Sequence, residues 1–590
     1  MSDETTGLPR PRVSRRAILQ SGAAAGLAAA LGSIAGTASV AASSTARPAG
    51  RTEIVPGAQE GDEAADLAFI NGRFHTIDAS DTVASVVAIK DGRFAEIGDR
   101  LTRKGPKTKV VNLKGRTAFP GLVEPHVHIV SLANRPGYHT ILENTTSIAE
   151  VQAALAARRA GGVPDGAWIT SMGGFHTNQW TEHRMPTLAE LDEAVSDRPV
   201  FLYTRFTGPC ATNSLGKAFF DAADAGPPPH PAYVPVNTSA TGQIAEGGFA
   251  GGASNSALYL LRTLQTFEDK KRSTLDAMAY SAEVGLTAHL DQVLFPTPGP
   301  LSPTQVLSNL DHYRMYDAWQ ALHREGRTTI RLQTNFLHNQ ADPNLPELKE
   351  RLRNQFQFFG DDLLMTGSIG EWAAPLGAGA TWLEAQRLVA RARWRNENSV
   401  QNLAGLTQVV NAYEAMEAEF GISDLRWMVH HVPFVTTDLL TRLQAIGAAV
   451  QMAGYRWVAS GPTDANVGAP FRTILDHGIQ VGLHGDGVHI APLNPWPHIQ
   501  YAVTGRNSFG VDVNAGQHLT RAEAVRLFTI RNSWFLRMED RIGSIEPGKL
   551  ADLVVLNRDY FDVPDDEIRT LRSVLTVVGG RVVHDEGIVG

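Results

Sequence analysis

Short apolar runs broken by glycine turns mark both ends of this chain, and between them strand-like runs alternate with helical ones. Near the start, Leu67–Phe74 (LAFINGRF) carries an Asn71-Gly72 turn, and Val86–Phe94 repeats that form around Asp91-Gly92. Val110–Leu113 leads into another glycine turn. The same vocabulary returns at the far end in Leu553–Leu556 and in Leu575–Val583, where Gly579-Gly580 interrupts two apolar runs. Two β segments at opposite ends of a chain are most economically one β-sandwich around an inserted domain. That places its halves at residues 66–120 and 541–590.

Residues 121–540 read as an α/β region. Strand-like runs stand at 168–172, 200–203, 287–290, 329–332, 363–367, 425–429, 448–451 and 481–483, and amphipathic helices at 401–420 and 437–446. Alternation of this kind predicts a (β/α)8 TIM barrel. Pro227–Pro235 and Phe295–Pro303 are too proline-rich for regular elements and read as loops near the barrel mouth. No repeat of fixed period is present.

Composition narrows the chemistry. The 590 residues are 43% hydrophobic and 19% charged, as in an ordinary globular protein large enough for a barrel plus an accessory domain. A net charge of −8 without a basic block argues against nucleic acid as a partner. Cys210 is the only cysteine, so any metal must be held by histidine and carboxylate. Ser14-Arg15-Arg16-Ala17-Ile18-Leu19 resembles a twin-arginine motif and opens an Ala/Gly-rich stretch to Ala42, so residues 1–45 read as an export signal. That stretch is only weakly hydrophobic, which disfavours a membrane anchor. Residues 46–65 read as a polar linker. The expected location is the cell envelope or beyond.

The chemistry centres on Thr117–Val130, TAFPGLVEPHVHIV. In a strand, residues two apart share a face, so His126 and His128 would point at one place. A bare HxH is weak evidence, but PG-x-V-E-x-HVH after a β-rich segment resembles the first-strand signature of the amidohydrolase superfamily, in particular its YtcJ-like branch. Gly543–Leu556 resembles that family's closing sandwich segment, so the resemblance runs from Asp66 to the C-terminus.

The resemblance implies further ligands at later strand ends: a lysine or glutamate on strand four, histidines on strands five and six, and an aspartate on strand eight. Leu363–Trp372, LLMTGSIGEW, offers Glu371 for strand four, a carboxylate able to bridge two cations. The strand-five segment Trp394–Gln401 contains no histidine, so either a ligand comes from elsewhere or one metal position is weakened. His176 and His289 are candidate substitutes, with Asp291 sharing the face of His289 if that strand extends far enough. On strand six, His430 and His431 are adjacent, so alternation predicts that only one reaches the metal. On strand eight, VGLHGDG supplies Asp486, with His484 two residues earlier on the same face.

The resemblance therefore implies a divalent metal, zinc first, as one or two ions on His126, His128, Glu371, His430 or His431, and Asp486. Asp486 would be the catalytic base for a metal-activated hydroxide attacking a non-peptide C–N bond of a small molecule. His176, His289, His484 and Trp372 are the candidate substrate contacts. The alternatives are a mononuclear deaminase or an ester or lactone hydrolase of the same fold, and a metal-free binding protein. No stable membrane association is expected, and a homodimer is the default expectation.

Overall fold

The computed structural model describes residues 63–589, except 205–208, 230–232, 245–251, 295–314, 340, 465–467 and 489, together with the short strand Glu53–Ile54. Residues 1–45, read above as an export signal, most of the expected linker, Phe295–Pro303 and part of Pro227–Pro235 lie outside the described residues.

Eight strands carry the molecule's centre: β1 (Leu122–Val127), β2 (Leu286–Leu294), β3 (Arg331–Leu337), β4 (Leu364–Ile369), β5 (Glu397–Ser399), β6 (Met428–His431), β7 (Ala449–Ala453) and β8 (Val481–His484). The first four pair in parallel, each with its neighbour in the chain, and so do the last four. A parallel bridge from Ile369 to Asn396 joins the two sets. At the other side the His128 N–H donates to the Gly487 carbonyl at 2.6 Å, bringing the ends of β1 and β8 together. A helix precedes each strand from β2 to β8, giving a mixed α/β fold.

The helices follow from local sequence. Leu403–Phe420 starts where the Asn402 side chain accepts from the Gly405 N–H and stops at Gly421, which takes a left-handed φ of 62°. Between them Leu406, Val409, Val410, Tyr413 and Met416 recur every three or four residues and bury one face.

Both chain ends meet in one sheet. In spatial order it runs Arg581–Asp585, Ser573–Val578, Leu553–Leu556, Thr117–Pro120, Leu67–His75, Val83–Lys90, Arg93–Gly98, with Lys109–Asn112 also on Leu67–His75. The seam is Leu553–Leu556 antiparallel to Thr117–Pro120, pairing Val554 with Phe119. A buried bidentate ion pair, Arg331 to Asp552 at 2.7 Å through both nitrogens, fastens β3 to this seam.

Two expected barrel strands belong elsewhere. Ile169–Met172 and Val200–Tyr203 lie in a separate five-stranded sheet with Tyr138–His139, Cys210–Thr212 and Gln243–Ile244, inserted between β1 and β2. Fully buried apolar runs look alike in any parallel pair, so sequence pattern cannot tell the two sheets apart. Among the described residues, no helix is long and apolar enough to cross a membrane.

Candidate metal centre

The histidine–carboxylate cluster sits where β1, β4, β5, β6 and β8 end. His126 is the fifth residue of β1, and His128 follows the strand as the residue before the helix Ile129–Ala133. Their Nε2 atoms stand 3.5 and 3.3 Å from the same oxygen, Asp486 Oδ1. His431 Nε2 stands 3.1 Å from the other, Oδ2. Asp486 follows β8 by two residues at a left-handed φ of 54°, between Gly485 and Gly487.

Hydrogen bonds at the far side of the His126, His128 and His431 rings decide which nitrogen faces inward. His128 Nδ1 lies 3.0 Å from the Gln292 carbonyl, which can only accept, so Nδ1 carries the proton and Nε2 presents a lone pair. His126 Nδ1 does the same toward Glu397 Oε1 at 3.2 Å. His430 lies between two carboxylates, its Nε2 3.3 Å from Glu371 Oε1 and its Nδ1 3.1 Å from Glu397 Oε1. His431 Nδ1 meets the Ser399 hydroxyl at 3.1 Å and the Gln401 amide.

The expectation that only one of His430 and His431 points inward is corrected. His431 has a φ of 69° and Val432 one of 29°, so strand alternation breaks at this point. Both rings then face the cluster, 4.6 Å apart and nearly perpendicular. His484 is also drawn in, its ring 4.7 Å from that of His126 and stacked on His431 at 5.3 Å. Neither of its nitrogens has a hydrogen-bond partner.

His176 and His289 are not part of this cluster. His176 caps the turn Thr177–Gln179, its Nδ1 accepting from the Asn178 N–H at 3.0 Å. His289 turns away, with its Nε2 3.1 Å from Ser281 Oγ on the helix Phe267–Glu283. Asp291, two residues on, keeps the face of His289, because β2 pairs with β3 without a break there and the extra residue in the pairing with β1 falls on β1, between Glu124 and Val127. Asp291 accepts from the Val130 N–H at 2.9 Å, and burial pushes its pKa up to about 7. Trp372 is half-buried beside Glu371, and its carbonyl accepts from the His338 N–H at 3.1 Å.

Two carboxylates escaped the sequence reading. Glu397 lies on β5, in the segment read as lacking a ligand, and is fully buried. Glu124, inside the HxH motif itself, accepts from the His126 N–H at 3.1 Å and from the Gly485 N–H at 2.9 Å. The signal for Glu397 was its position, because an acid on strand five, the strand expected to supply a ligand, is as notable as a missing histidine.

Burial opposes charge throughout this cluster, and mutual attraction outweighs it at most members. His126 is held well above its ordinary pKa by Asp486 and Glu397, and His128 is raised by Asp486. Asp486 is held well below the usual carboxylate range by the charge of His431 and by contacts with His126 and His128. Glu371 is lowered through His430, and Glu397 strongly through His126 and His430. His431 and His484 move down, through burial and the neighbouring imidazoles.

Two sets of donor atoms each gather within 4.8 Å of one another: His126, Glu371, His430 and His431, and His126, His128 and Asp486. The buried His126 Nε2 and His431 Nε2 face into them without a hydrogen-bond partner. Nitrogen and carboxylate donors so arranged fit a divalent cation.

This fold and cluster define a metal-binding α/β hydrolase. The chain belongs to the amidohydrolase family, whose model matches residues 109–584, and it is a hydrolase acting on carbon–nitrogen bonds. It is 25% identical to the N-substituted formamide deformylase of Arthrobacter pascens, over 87% of this chain and 97% of that protein. It is 23% identical to the putative amidohydrolase YtcJ of Bacillus subtilis, over 85% and 96%. Among solved structures, the zinc complex of atrazine chlorohydrolase TrzN from Arthrobacter aurescens aligns with a TM-score of 0.50 at 13% identity, covering 88% of this chain and 95% of that one.

Proposed function

We propose that the protein hydrolyses a small, non-peptide amide, with N-substituted formamides the first class to try, in a zinc-dependent reaction. The observation that carries this reading is Asp486, whose carboxylate stands within 3.5 Å of the Nε2 atoms of His126, His128 and His431. The eight parallel strands are read as one (β/α)8 barrel, whose active sites lie at the C-terminal strand ends. The sheet shared by both chain ends is read as the accessory β-sandwich.

His126, His128, His430, His431, Glu371 and Asp486 are the residues that would hold the cation. Such a cation supplies Lewis acidity and a water of pKa about 7. Asp486 serves as the base that takes the proton from the attacking water and returns it to the leaving nitrogen. Glu371 and Asp486 stay ionised at neutral pH, since both are lowered. His484 would donate to the developing oxyanion, a role its burial and unpartnered nitrogens support. The formamide class rests on the similarity to the Arthrobacter deformylase. Export through the twin-arginine route belongs to the same proposal, because a folded, metal-loaded chain without disulfides suits it.

The test is elemental analysis of protein purified without chelator, together with a screen of N-substituted formamides and acetamides. Bound zinc, with amine release that chelation abolishes and zinc restores, is the expected result. A chain that holds no zinc and gains no activity from it overturns the proposal.

A further inference from the structure

We infer that Glu397 is a positioning residue that sets the tautomer and orientation of His126 and lies against the ring of His430, rather than a ligand standing in for a strand-five histidine. This rests on the proposed metal site and extends it. Each oxygen of the carboxylate is already engaged. Oε1 faces His126 Nδ1 at 3.2 Å and His430 Nδ1 at 3.1 Å. Oε2 accepts from Gln292 Nε2 at 2.9 Å and from Asn335 Nδ2 at 2.8 Å.

An ionised carboxylate has about four acceptor positions. Three hydrogen bonds, from His126, Gln292 and Asn335, converge on this one, and the ring of His430 fills the space beside Oε1, its Nδ1 3.1 Å away. The geometry also accounts for Gly370. A Cβ there would lie 2.8 Å from both Glu397 Oε2 and Asn335 Nδ2 and 3.0 Å from Gln292 Oε1, so the chain leaves that space to the carboxylate's support. Gln292 and Asn335, from the ends of β2 and β3, hold the acid rigidly beneath the two rings. A carboxylate that accepts from the outer nitrogen of a ligating histidine fixes its inner nitrogen toward the metal and raises its basicity.

The experiment is zinc titration and cobalt(II) visible spectroscopy on wild type, Glu397→Gln and Asn335→Ala. In Glu397→Gln one acceptor becomes an NH2 that cannot accept, so zinc affinity should fall about 10–100-fold. The number of ions per chain and the shape of the cobalt spectrum should stay the same. Asn335→Ala leaves the charge in place and should weaken binding in the same direction by less, which serves if Glu397→Gln does not fold. Loss of a whole equivalent of metal, or a changed cobalt coordination number, would make Glu397 a ligand and overturn the inference. Unchanged affinity in both variants overturns it as well. A wild-type chain that takes up no zinc overturns the metal-site reading and this inference together, so the two failures are distinguishable.

Discussion

Glu124 and Gly485 are joined by a hydrogen bond of 2.9 Å from the Gly485 N–H to Glu124 Oε2, while Glu124 Oε1 accepts from the His126 N–H at 3.1 Å. One buried carboxyl thus ties the end of β1 to the turn that carries Asp486. Burial pushes its pKa up to about 8. Glu124→Gln should destabilise the protein, because an amide NH2 cannot accept and one buried backbone N–H loses its partner. The expected loss is about 1–3 kcal/mol, with Glu124→Ala costing more. Urea unfolding measures it, and a variant as stable as wild type would refute the role.

Gly370 stands over the support of Glu397, and its missing side chain is a matter of space. Gly370→Ala would place a methyl 2.8 Å from Glu397 Oε2 and Asn335 Nδ2. The buried pair must move, so zinc binding should weaken while the far-UV spectrum stays native. Isothermal titration gives the affinity. An alanine variant with wild-type affinity would show that the pocket floor yields without cost.

Asp486→Asn removes the proton acceptor and the negative charge that three imidazoles face. Loss of a general base lowers kcat by about 10²–10⁴-fold. Steady-state kinetics on whichever formamide the wild type cleaves measures it. A variant retaining kcat within a few-fold of wild type would move the base elsewhere.

What was legible in the sequence, and what was not, divides along strand geometry. His126 and His128 obey the period of two and converge on one carboxylate oxygen, as that period implies. His430 and His431 do not, because the backbone at His431 and Val432 turns to positive φ, which no residue type there announces. Glu397 was obscured by its strand. Three residues, Glu397, Asn398 and Ser399, carry no apolar pattern, and the donors that satisfy the acid come from β2 and β3. His289 had the right strand but the wrong face: it and Asp291 share, by the period of two, the side turned toward Ser281 and the Val130 N–H and away from the cluster. The insertion after β1 read as barrel because buried parallel strands share one vocabulary. The two-ended sheet was legible from its glycine turns alone.

Acid should destabilise this protein through histidines buried as neutral rings. Burial lowers the pKa of His289 to about 3 and, aided by the charge of Arg351, that of His338 to about 3. In the unfolded chain both return to about 6.5. Between these values the unfolded state binds protons that the folded state does not, so stability falls as pH drops below about 6.5 and continues to fall until about pH 3. Each group contributes up to about 1.4 kcal/mol per pH unit in that window. His289→Gln keeps a polar atom for Ser281 Oγ, now 3.1 Å from His289 Nε2, and cannot titrate. Its stability should therefore depend less steeply on pH than that of wild type across pH 4–6, by about that slope. Metal release in acid affects both proteins alike, so the difference between their unfolding curves isolates the histidine. Parallel curves would show that His289 is protonated as readily inside the protein as outside.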